Sequence, residues 1–196
     1  HTAWSQTVSP IALALKGPKS KKGVFILDAT KHPVFGDYEG AGEQNYVEEV
    51  RRRDGTLVQT RVHEKGFKEA TLCLFRRGQL IVVAYRKISI RQHESRVAAE
   101  LVEEGLNTLG EDTPDVILVD RGFISGPLFF KWKTQGLDVV VPLRRNMSLF
   151  EDMQGLAKLE KGLEVRLKDA EGKQTVIKAF NNLTSLDSYP GKLSGL

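Results

Sequence analysis

With a single cysteine in 196 residues, no disulfide framework and no multi-thiolate metal site can form within one chain. Cys73 lies inside the apolar run LCLF, which suits a small buried side chain in a reducing, intracellular setting. Long apolar runs are missing too. None approaches the ~18 residues that cross a bilayer, and IALAL at 11–15 is too short for a signal-peptide core, so no membrane span is expected and a cytosolic place is. No P-loop is present, and GAGEQN at 40–45 has too little of the dinucleotide fingerprint and no strand directly before it. His32, His63 and His93 stand apart, without cysteine or histidine at ligand spacing. No period recurs, and no stretch is of low complexity.

What remains is an ordinary globular composition, 40% apolar and 28% charged, with room for at most two folded units. The formal charge of +4 and sequence pI near 9.1 are mildly basic. The cations come in clusters, Lys19/Lys21/Lys22, Arg51–Arg53, Arg76/Arg77, Arg86/Lys87 and Arg144/Arg145, which favours a polyanionic partner.

Residues 1–22, broken by Pro10 and Pro18, read as an entry segment. Val24 to Leu27 are a continuous apolar run that predicts a covered strand ending at Asp28. Pro33, Gly36, Gly40 and Gly42 then predict a polar loop out to about Tyr46. A short strand is expected over 56–62, and ATLCLFR (70–76) with QLIVVAYRKIS (79–89) around Arg77-Gly78 predicts a hairpin. SRVAAELVEEGLNTL (95–109) has helical apolar spacing with Gly110 as its stop. DVILV (115–119) is a second buried strand, and it runs into Asp120. A helix over about 126–135 follows, then the strand LDVVVPL (137–143), a short helix from Ser148 and a hairpin from LEVRLKD and QTVIKAF. Phe129, Phe130 and Trp132 belong more simply to the core and flank of a helix than to a base-stacking platform.

Functional groups of α/β sheets gather where strands end, and Asp28 and Asp120 both close apolar runs. On neighbouring strands, about 4.8 Å apart, two such carboxylates would repel. A hard divalent cation such as Mg²⁺ or Mn²⁺ removes the conflict, and a pair of ions ~3.5–4 Å apart is the device that clamps a phosphodiester. The bland alternative is that each aspartate caps a following helix.

The arrangement FILDAT, hairpin, helix, VILVDRGF, helix, VVVPLRRN resembles the catalytic core of DDE transposases of the bacterial insertion-sequence type, over roughly residues 20–150. The spacing of the aspartates, 120 − 28 = 92, is similar to that family. The resemblance implies a ribonuclease H-like α/β fold, a mixed five-stranded sheet flanked by helices over 23–145, and the start of a β-rich insertion over 146–196. It also implies that the chain ends before the rest of the core. Asp28 and Asp120 are then metal ligands for two Mg²⁺ or Mn²⁺ ions. The reaction is DNA strand cleavage by water and strand transfer by a 3′-hydroxyl, in a homodimer that holds transposon ends and target. Arg121, Arg144, Arg145, Lys31 and His32 are the candidate DNA-binding residues on the same reading. The departure is the third acid: the Tyr-Arg-Glu-Lys signature of this branch has no match here, and Glu151 is the local candidate. A catalytically inactive DNA-binding relative is the alternative. An aspartyl-phosphate phosphotransferase fits less well, because Thr30 stands where its second acid belongs.

Overall fold

The computed structural model describes residues 22–143, 145–159, 163–168, 172, 174–183, 186 and 188–195. The chain divides into two compact units, His1–Leu118 and Val119–Leu196.

In the first unit, β1 (Val24–Pro33), β2 (Gly42–Arg51), β3 (Leu57–Arg76) and β4 (Gln79–Ser89) precede α1 (Ser95–Leu109) and β5 (Val116–Val119), whose last residue opens the second unit. The strand order is β2-β3-β1-β5, with β4 also paired to β3 and the second unit's β6 (Asp138–Val140) next after β5. Alternation along the strands decides which side chains are covered. Antiparallel register sets Phe25 against Leu74 and Leu27 against Leu72, and all four are buried. The opposite face carries Ile26, Asp28, Thr71 and Cys73, each half-buried.

Over the buried face lies α1, whose Val97, Ala98, Leu101 and Val102 are buried at helical spacing. Gly105 sets how closely the helix approaches. A Cβ there would stand 2.5 Å from Leu72 Cδ2 and 3.3 Å from Phe25 Cζ, so only a residue without one fits against the strands.

The second unit starts with a 3₁₀ turn, Arg121–Phe123, followed by α2 (Gly126–Thr134), β6, α3 (Ser148–Lys158), β7 (Leu163–Lys168), β8 (Gln174–Leu183) and β9 (Leu193–Gly195). Phe123, Trp132 and Leu137 are fully buried, and Phe129 packs on Trp132 with ring centroids 6.1 Å apart. Phe130 is exposed on the flank, its ring edge-on to Tyr189. These aromatics hold the core and flank of a helix, as their spacing predicts. β7, β8 and β9 form an antiparallel three-stranded sheet, and α3 covers β8 through Leu149 and Met153 against Phe180 and Leu183.

The architecture is α/β with a mixed sheet, but the sheet has six strands rather than five. The extra strand is β2, in the stretch whose glycines and proline predict a loop. β2 is mostly exposed, so its pairing needs no apolar alternation and leaves no period to read. The first strand also continues past Asp28 to Pro33, because β3 offers backbone partners from Ala70 to Gly66 for residues 29–33. Asp28 is therefore in mid-strand, at the point where coverage gives out. β6 is shorter than its apolar run, spanning only Asp138–Val140.

Candidate active site

Asp28 is half-buried on β1, in register with Thr71, and its Oδ1 accepts the backbone N–H of Ala29 at 2.8 Å. No helix follows, so the capping explanation does not apply to it. Its charge is felt by Cys73, whose thiol is pushed above its ordinary range first by burial and then by the Asp28 carboxylate.

Asp120 follows β5 in extended conformation and is also half-buried. Its Oδ1 accepts the N–H of Gly122 and caps the Arg121–Phe123 turn, with Phe123 buried as the anchor. The capping role predicted for a strand-end aspartate is thus real here. It does not exhaust the group: an ionised carboxylate has about four acceptor positions, and a backbone N–H holding one oxygen fixes where the others point.

The candidate DNA-binding residues differ in how free they are. Arg121 and Arg145 are exposed, whereas Arg144 lies outside the described residues. Lys31 Nζ donates to Glu64 Oε2 at 2.8 Å and stands 4.9 Å from the centroid of the Tyr46 ring. His32 Nε2 lies 3.1 Å from Glu69 Oε2. By strand alternation His32 shares a face with Asp28 and Lys31 does not. Glu151 is exposed in the first turn of α3, where the helix N-terminus favours a carboxylate for reasons unrelated to catalysis. Among the described residues, no group of three or more His, Cys, Asp or Glu is placed to hold a metal ion. The two acids already identified are hard oxygen donors, the chemical type that Mg²⁺ and Mn²⁺ select.

The sequence does not announce Glu64 and Glu69 as partners of Lys31 and His32, because 33 and 37 residues separate the pairs and only the pairing of β3 joins them, with β1 at Glu69 and with β2 at Glu64. The Lys31–Glu64 pair has a pH signature. The hydrogen bond from Lys31 holds the Glu64 carboxyl below the ordinary glutamate range, and the same bond raises Lys31. The glutamate's contribution to stability is therefore complete above the ordinary glutamate value and is lost as pH falls through the lowered one. The lysine's is complete below the ordinary lysine value and is lost as pH rises through the raised one. Glu64→Gln is expected to flatten the acid limb of the stability curve by under about 1 kcal/mol, since the lysine is well exposed. Urea midpoints from pH 3 to 7, a window of about four units around the carboxylate range, check this; an unchanged acid limb would show that the pair is not formed.

Residues 19–185 match the family model described as the transposase DDE domain. The chain belongs to that transposase family. No curated protein sequence matches it. As a transposase DDE domain it has DNA as its implied partner, and its family normally uses a divalent metal. The α/β sheet accords with the ribonuclease H-like fold of such domains. Both Asp28 and Asp120 fall inside the matched segment.

Proposed function

We propose that this transposase DDE domain cleaves DNA strands and joins a freed 3′-hydroxyl to target DNA, with Asp28 and Asp120 as ligands of two divalent cations, Mg²⁺ or Mn²⁺. The observation that carries the reading is the family match over 19–185, which encloses two aspartates that each follow an apolar run and lie 92 residues apart. The strand order supports it, because β1, which bears Asp28, neighbours β5, which leads to Asp120.

In cleavage, water adds to a backbone phosphorus and the P–O3′ bond breaks, leaving a 3′-hydroxyl and a 5′-phosphate. In joining, that hydroxyl attacks a target phosphodiester and displaces its 3′-oxygen as the new P–O bond forms. Bound divalent ions would supply charge neutralisation at the phosphate and a more acidic water. Asp28 and Asp120 would hold them through carboxylate oxygens, the second oriented by its bond from Gly122 N–H. Arg121, one residue on, offers a fork-shaped donor for a phosphate, and Arg144 and Arg145 extend the basic character along the chain. The third acid has no assigned residue beyond the candidate Glu151. Holding two transposon ends requires two copies, so a homodimer on DNA, at the nucleoid, completes the reading.

Calorimetric titration of the chain with Mn²⁺ at neutral pH, beside Asp28→Asn and Asp120→Asn, tests the site. Saturable binding that either substitution removes is the expected result. Binding that survives both substitutions, or no binding by the wild-type chain, overturns the assignment and favours the inactive DNA-binding relative.

A further inference from the structure

β2 and the first half of β3 form a ribbon that continues past the end of β1. Pro33 closes β1 opposite Gly66, and from there β2 pairs β3 over ten positions, Gly42↔Gly66 to Arg51↔Leu57. At about 3.3 Å per residue that is roughly 30 Å of two-stranded ribbon. Its apolar residues have little to pack on: Val47, Val50 and Leu57 are 57%, 43% and 66% exposed. An isolated hairpin of this kind is marginal in water. This one is held because β3 is a single strand of 20 residues whose second half is bound between β1 and β4. Such a ribbon adds almost nothing to the core; what it offers is reach.

Its charges are sorted along its length. Near the base they cancel internally, with Lys65 paired to Asp37 at 2.5 Å and Glu43 at 3.5 Å, and Glu64 to Lys31. At the tip they do not. Arg52 N–H donates to Thr56 O at 2.8 Å and Gly55 N–H to Arg52 O at 2.9 Å, a tight turn that needs the positive φ of Gly55, +89°. Asp54 is committed to that turn, accepting both the N–H and the hydroxyl of Thr56 at 2.9 and 2.6 Å. Arg51 Nε donates to Gly55 O at 3.3 Å, a neutral partner. None of Arg51, Arg52, Arg53 and Arg61 has an ion pair among the described residues. Alternation puts Arg51 and Arg61 on one face with Asn45, Gln59 and His63, all exposed, and Glu49 is the one carboxylate there beyond the neutralised base. Glu48 belongs to the other face, where Lys31 feels its charge.

We propose that this ribbon is a DNA-contacting arm, in which Arg51, Arg52, Arg53 and Arg61 hold phosphates of a duplex. The proposal rests on the reading of the chain as a domain that acts on DNA. An ordered turn that presents unpaired guanidiniums is built for a polyanion, and a two-stranded ribbon fits the ~12 Å major groove.

The test is fluorescence anisotropy of a labelled DNA duplex with the whole chain, over a series of salt concentrations without divalent metal. The Arg51→Ala/Arg52→Ala/Arg53→Ala variant is expected to bind about 10- to 100-fold more weakly and to reduce the slope of log K against log salt by about 2–3, near 0.9 per lost phosphate contact. Glu49→Gln is expected to tighten binding, an outcome that misfolding cannot mimic. If the wild-type chain binds and the triple variant matches it in affinity and slope, the arm is overturned while the DNA-acting reading stands. If the triple variant changes only the oligomeric state measured by light scattering, the ribbon contacts a second copy and the proposal falls. No binding by the wild-type chain overturns the arm together with DNA as the partner. The Mn²⁺ titration reports on the two aspartates independently.

Discussion

Phe25→Ala is expected to destabilise the first unit by about 3–5 kcal/mol, the range for emptying a fully buried phenylalanine site. Phe25 is 0% exposed. It stands in register with Leu74 on β3, and its ring meets α1 at Gly105, where a Cβ would come within 3.3 Å of Cζ. Truncation removes the ring's transfer free energy and leaves a cavity that neither neighbour can close, since Leu72 and Leu27 are themselves at 0% exposure and fixed by strand pairing. Against a total stability of roughly 5–15 kcal/mol this is a large fraction. Asp28 lies three residues along the same strand, so the Mn²⁺ site proposed there is expected to weaken with no carboxylate removed. Urea unfolding followed by circular dichroism checks the first effect; a loss under about 1 kcal/mol would mean that the ring does not occupy the core.

The second large effect is Trp132→Ala, again about 3–5 kcal/mol, in the other unit. Trp132 is fully buried on α2 beside Phe129, yet its indole Nε1 is buried with no hydrogen-bond partner among the described residues. An unsatisfied buried donor costs about 1–3 kcal/mol. Two terms therefore oppose one another in Trp132→Phe, which leaves a smaller cavity and removes the orphaned N–H. That variant is expected to lose far less than the alanine, within about 1–2 kcal/mol of the wild type. Equal losses from the two substitutions would show that the N–H has a partner after all. Chemical denaturation of the three proteins decides it.

The parts of this protein that were legible in advance share one property: their physical cause is local. Val24 to Leu27 and Val116 to Val119 are apolar without interruption and form covered strands. Apolar spacing over Ser95–Leu109 defines α1 to the residue, and Arg77-Gly78 makes the two-residue turn between β3 and β4 because both residues adopt positive φ. The aspartates were legible for the same reason, as charges placed where apolar runs stop.

What stayed hidden depends on pairing between distant residues. β2 has no apolar face to announce it, and its existence follows from the free edge of β3. Asp28 was expected at a strand end and is in mid-strand, because backbone hydrogen bonds to β3 continue after the buried face has ended. Lys31 and His32 read as candidate DNA contacts, and only strand pairing along β3 brings Glu64 and Glu69 to them. Asp120 kept both of its readings: the structure realises the cap, and the cap leaves oxygens to spare.

By itself, then, the sequence determined the α/β class, the covered strands, the helices and the two carboxylates, because burial periodicity and turn chemistry act within a few residues. Tertiary structure decided how far each strand runs, that Lys31 meets Glu64, and which arginines at the tip of a ribbon have no ion pair among the described residues. Those outcomes are set by register, and register is a contest between whole strands that no short window of residues contains.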